Sequence, residues 1–210
     1  MKTIFSTLIF VLTITMSLSS CSGASEKGSN AAHQLEQAWG NTDAIRKVAN
    51  DYLAARDSLS WPGETWMMND AFFNGCASND SMLIMAQAIA LTATELGKEN
   101  GSIIVKGLTD GTMDAQGATA RLGIIDVTLS ILGRSDELPT CYKAIDAEAQ
   151  SLPEDQQMVV YAHSCSPATL GDALRQDRAT DSLAADKRAA IVNTILTGED
   201  LNTFKSHYYK

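Results

Sequence analysis

Between Met82 and Leu96 apolar residues follow one another with hardly a break: Met82, Leu83, Ile84, Met85, Ala86, then Ala88 to Leu91, Ala93 and Leu96. On a helix of 3.6 residues per turn they cover nearly the whole circumference, and such a helix needs neighbours on every side. Gln87, Thr92 and Glu95 interrupt the run, so it reads as a buried central helix and not as a bilayer span. Ser78 or Asp80 is placed to cap it and Gly97 to stop it. The rest of the chain must therefore wrap around a helix.

Helical spacing recurs on both sides of that segment. Ala31–Leu59 reads as helix broken at Gly40-Asn41-Thr42, with Thr42 or Asp43 as the second cap. Asp114–Leu132 carries a stripe of Leu122, Ile125, Leu129 and Leu132, and Gly117, Ala120 and Gly123 leave room for a close neighbour. Ile103-Ile104-Val105 is β-branched, but a lone strand has no partner, so Gly101–Asp110 reads as a turn of helix or an extended connector. Ala168–Ala179 is a short helix or loop, Leu183–Leu196 a helix facing inward from Leu183, and Leu201–Tyr208 a final amphipathic turn or two. The expectation is an all-α, single helical-bundle domain over 31–210 with about six to eight helices.

Leu138–Gln150 and Pro153–Cys165 predict an αα-hairpin in the C-terminal half, with a capping box at Ser151-Leu152-Pro153-Glu154. Cys141 and Cys165 stand equally far from Pro153 and on the facing apolar stripes. That placement predicts a Cys141–Cys165 disulfide, worth about 3 kcal/mol by loop closure. Cys76 is left without an assignment.

Trp61-Pro62-Gly63-Glu64-Thr65-Trp66 sets a turn signal between two indoles, and Phe72-Phe73 follows. Two readings stand side by side. Bulky aromatics from a loop can plug a core. Alternatively Trp61 and Trp66, with Glu64, Asn69 and Asp70 beside them, make a surface for a partner or ligand. The first is the commoner fate of tryptophan.

Local catalytic motifs are missing from the sequence. His33, His163 and His207 are scattered, and no nucleophile elbow, zinc helix or phosphate-cradling glycine loop occurs. Met67, Met68, Met82 and Met85 are too loosely spaced for a copper site. Asp110 to Arg121 fails as a calcium loop, because Ala115 and Arg121 stand where Gly and Glu are required. No metal or cofactor is expected.

Met1 to Ser20 has the layout of a secretory signal: Lys2, then a short apolar run, then small residues. The sequence Leu18-Ser19-Ser20-Cys21 resembles a bacterial lipobox. That resemblance implies cleavage before Cys21 and acylation of its sulfur and its new amine, with lipid bilayer as the first partner. Ser22, where Asp would hold such a protein in the inner membrane, implies the outer membrane facing the periplasm. Residues 1–20 are then a cleaved signal and 21–30 a lipidated, flexible tether.

Losing the first twenty residues removes Lys2 alone, leaving 15 basic against 25 acidic side chains, a formal charge of −10. Such a surface excludes nucleic acid as a partner. A tethered protein that binds a protein partner fits these features: a secretion or assembly accessory, or an immunity or inhibitor protein. The alternative is an envelope enzyme with a dispersed acidic site around Glu64 and Asp70, acting on glycans.

Overall fold

The computed structural model describes residues 23–210, so the signal and the lipobox cysteine lie outside the described residues. Within them the chain is all-α, with eleven helices and no strand. Helix α1 comprises 23–38. It is followed by α2 (Thr42–Asp57), α3 (Pro62–Cys76), α4 (Asp80–Ala90), α5 (Ala93–Asp110) and α6 (Ala115–Leu132). After a 3-10 turn at Ser135–Glu137 come α7 (Leu138–Ala149), α8 (Glu154–Ser164), α9 (Pro167–Arg178), α10 (Ser182–Ile195) and α11 (Gly198–Tyr208). None of these helices is long and apolar enough to cross a membrane.

Where the sequence shows no boundary, the contacts divide the chain into two compact units. The first holds the described residues up to Ala90 together with Ile131–Gly133; the second holds Leu91–Ser130 and Arg134–Lys210.

The first unit packs Leu35, Tyr52, Met68, Phe72, Met85 and Ile89 into one core. Its α1 and α3 touch almost backbone to backbone. A Cβ on Gly28 would lie 2.2 Å from the Met68 carbonyl oxygen, and one on Gly75 would lie 2.5 Å from Ala32 Cβ. Residue 28 beside 68 and residue 32 beside 75 means that the two helices run in the same direction. The tether expected at 21–30 is therefore corrected over its described part. Residues 23–30 are helical, with Ala24 and Gly28 buried, because their small side chains let α1 lie flush on α3.

Two further expectations change. The helix expected to stop at Gly97 breaks instead at Leu91-Thr92, where Thr92 and Glu95 form a capping box that starts α5. The cap is worth about 1 kcal/mol. Through Gly97, α5 continues to Asp110, so Ile103-Ile104-Val105 is helical, and Gly97 and Gly101 serve as contact surface. Trp61–Cys76, read as a loop, is a helix entered through Pro62, whose ring fits the first helical position.

In the second unit α5 and α7 are also parallel and close. A Cβ on Gly97 would meet the Cys141 carbonyl oxygen at 2.2 Å, and one on Gly101 would meet Glu148 Cβ at 2.9 Å. Beyond them α8 to α11 close around Met158, Leu174, Val192, Phe204 and Tyr208. Leu183, expected inside, is 81% exposed, because α10 turns Ala185, Ala189 and Val192 to the core. The capping box expected at Ser151 does not form; Pro153 occupies the N-cap and the Ser151 hydroxyl donates to the Glu148 carbonyl.

The expected hairpin of α7 and α8 is present, but its disulfide is not: Cys76, Cys141 and Cys165 are all free thiols. The register explains it. Ser164 donates to Asp146 at 2.5 Å, so the residue before Cys165 stands level with Asp146. That offset leaves Cys141 about one helical turn, roughly 5.4 Å, beyond the level of Cys165. Cys165 also leaves the helix with extended backbone, while Cys141 is buried and its carbonyl lies against α5. Burial pushes the Cys141 thiol up to about 12 and the Cys76 thiol up to about 11. Native protein at neutral pH should therefore alkylate at Cys76 and Cys141 far more slowly than a model thiol. Denaturant without reductant should make Cys76, Cys141 and Cys165 all reactive; recovery of a Cys141–Cys165 linked peptide would refute this assignment.

Candidate functional site

Helix α3 carries the candidate site residues Glu64, Trp66, Asn69 and Asp70, with Trp61 at its N-cap. Its buried stripe, Glu64, Met68, Phe72 and Cys76, repeats every fourth residue and faces the first unit's core. Trp66 lies on the opposite side, 66% exposed, and the N-cap residue Trp61 is 56% exposed. Both indoles are therefore displayed to solvent and do not plug the core. The Trp61 ring folds back over the helix start, where a Cβ on Gly63 would fall 2.1 Å from its Cη2. Glycine at 63 thus gives the indole a flat seat while its other face meets solvent.

The polar residues of the same stretch do not join the indoles in one site. Glu64 is buried, and its Oε2 accepts from the Ser60 N–H at 3.0 Å, which closes the turn entering α3. Asn69 accepts from the hydroxyl of buried Tyr52 at 2.5 Å, tying α3 to α2. Asp70 accepts from Asn74 at 3.1 Å on the exposed side. Glu64 and Asp70 stand on different sides of one helix, one buried and one exposed, so they do not face each other across an acidic pocket. A glycosidase pair would have to do so.

At the other end of α1 stands Trp39, 42% exposed, just before the turn at Gly40, whose φ of 85° suits glycine. The neighbouring faces of α1 and α2 form a shallow groove of about 350 Å³. Its lining is Gln34, Gln37, Ala38, Ala44, Lys47, Val48 and Asp51. Lys47 and Asp51 are paired at 2.5 Å. Two amides and an ion pair around an alanine–valine floor offer hydrogen bonds with a small apolar patch.

A second polar grouping lies in the second unit. The buried Tyr142 hydroxyl is shared between the Leu122 carbonyl, at 3.1 Å, and a carboxylate oxygen of Asp126. Burial raises the Asp126 carboxyl, against the pull of Tyr142 and His163. Burial lowers the His163 imidazole, whose Nε2 is enclosed without a hydrogen-bond partner. The phenol spends its proton on acceptors in α6, so this grouping joins α6 to α7. Asp126 stands on the exposed side of α6, and residue spacing gives no sign of its bond to Tyr142.

Among the described residues no group of three His, Cys, Asp or Glu side chains is arranged to hold a metal ion. No family model, no curated protein and no solved structure matches this chain.

Proposed function

We propose that this chain is a lipid-anchored protein of the bacterial envelope that works by binding a protein partner in the periplasm. One observation carries the binding part: Trp39 is exposed at the turn joining α1 to α2, next to Ala38 of the groove between those helices. Tryptophan buries a large area when it can, and displayed indoles are enriched where proteins make contact. The anchoring part rests on the lipobox resemblance at Leu18-Ser19-Ser20-Cys21. Three acyl chains on Cys21 exceed the two signals that stable anchoring requires. Membrane-held protein would present Trp39 and the α1–α2 groove at the end of α1 away from Cys21.

Affinity purification from detergent-solubilised membranes tests the reading. The expected result is one protein recovered repeatedly with the wild-type chain and lost with Trp39→Ala combined with Gln37→Glu, both on the exposed side, circular dichroism remaining helical. Recovery of no protein from the native envelope, or unchanged recovery with this variant, would refute the binding surface.

A further inference from the structure

The two indoles of α3 and the first described residues of α1 lie at one end of the first unit. Because α1 and α3 are parallel, with Gly28 beside Met68 and Ala32 beside Gly75, one turn further down brings Ala24 level with the turn that holds Trp66. The loop before α3 reaches the same level, since Lys27 donates to the Ser58 hydroxyl at 3.3 Å. Cys21 is two residues before Gly23, the first described residue, so the chain can carry it at most about 7 Å away. Helical Cα–Cβ bonds tilt towards the N-terminus, which leans the Trp66 indole towards this end as well. Trp61 is already there, seated on Gly63.

We propose that Trp61 and Trp66 dock the body onto the lipid bilayer, so that acylated Cys21 and two interfacial indoles hold the first unit at a fixed orientation. This inference rests on the anchoring reading above. Indoles favour the headgroup level of a bilayer, where the ring is half apolar and its N–H is hydrated. The acidity of the chain is no obstacle at this end. Here the acids Glu26, Asp57, Glu64 and Asp70 stand against Lys27 and Arg56; Glu64 is buried on the Ser60 N–H and Asp57 pairs with Arg56 at 3.6 Å. That small local excess of acid favours a zwitterionic surface over an anionic one. The residues 23–38 of α1 rise about 24 Å, which puts Trp39 well clear of lipid at the opposite end.

The test uses the full chain, exported and purified from membranes, then reconstituted in phosphatidylcholine vesicles whose acyl chains carry bromine. Trp39→Phe leaves only the two indoles of α3, and should lose most of its emission relative to the same protein in unbrominated vesicles. Trp61→Phe combined with Trp66→Phe leaves only Trp39, and should lose almost none. Mass spectrometry of the Cys21 peptide from the same sample reports acylation separately. An acylated, vesicle-bound Trp39→Phe protein whose indoles stay unquenched would overturn the docking and leave the anchor standing. An unacylated Cys21 would overturn the anchor, and the docking with it. Unquenched indoles together with loss of a co-purifying protein in the Trp61→Phe, Trp66→Phe variant would assign the patch to that protein and overturn the docking.

Discussion

Gly97→Ala is expected to destabilise the second unit by about 2 kcal/mol, although alanine is the better helix former. The propensity gain in mid-helix is about 1 kcal/mol. Against it stands a new Cβ 2.2 Å from the Cys141 carbonyl oxygen and 2.7 Å from Ala144 Cβ. A backbone atom cannot swing aside as a side-chain tip can, so α5 and α7 must separate along their length, at an overpacking cost of about 3 kcal/mol. Gly123→Ala in α6 is the control, because a Cβ there meets nothing within 4 Å. Urea denaturation should show the two substitutions moving the midpoint in opposite directions. A midpoint raised by both would mean that α5 and α7 are not in contact at Gly97.

Asn100→Leu should cost about 3 kcal/mol, the range for breaking a buried interaction of a charged group. Asn100 is fully buried, and its Oδ1 accepts from Arg121 Nε at 3.0 Å while its amide donates to the Leu96 carbonyl at 3.0 Å. Arg121 itself is only 4% exposed, so the guanidinium cannot reach water when Asn100 is lost. Combining Asn100→Leu with Arg121→Met removes the donor along with one of its acceptors and should cost less than the sum of the two single changes. The coupling read from the four proteins is the measurement. Additive effects would show that Asn100 is not what holds Arg121 in the core.

The helices were legible where apolar spacing was long and a break followed. Gly40-Asn41-Thr42 separates α1 from α2 as expected, though Asn41 and not Thr42 supplies the capping oxygen. Asp181 caps α10, its Oδ1 accepting from the Ala184 N–H. The misreadings share a physical origin. Glycine was taken as a stop at Gly97 and as a tether component at Gly28, yet in both places its missing side chain is filled by a neighbouring backbone. Only tertiary contact distinguishes those uses, and a linear pattern carries no record of it. The same holds for the cysteines: equal spacing from a turn fixes two positions along their helices but not the slide between them. Gly123, read as a close-contact position, faces open space for that reason.

The indoles illustrate a different limit. Their clustering around Pro62 and Gly63 is plain in the sequence, but their exposure follows from which face of α3 meets the core. Glu64, the polar residue nearest them, went inward to hold Ser60, while both tryptophans stayed out.

The parallel seating of α1 on α3 also sets an order of events during synthesis. Residues 23–38 alone make a helix near the length at which isolated helices are marginal in water, and the strip that receives them ends at Cys76. Until that strip has emerged, α1 lacks the surface it lies on; once α3 arrives, Gly28 closes onto Met68 and the helix is held in place.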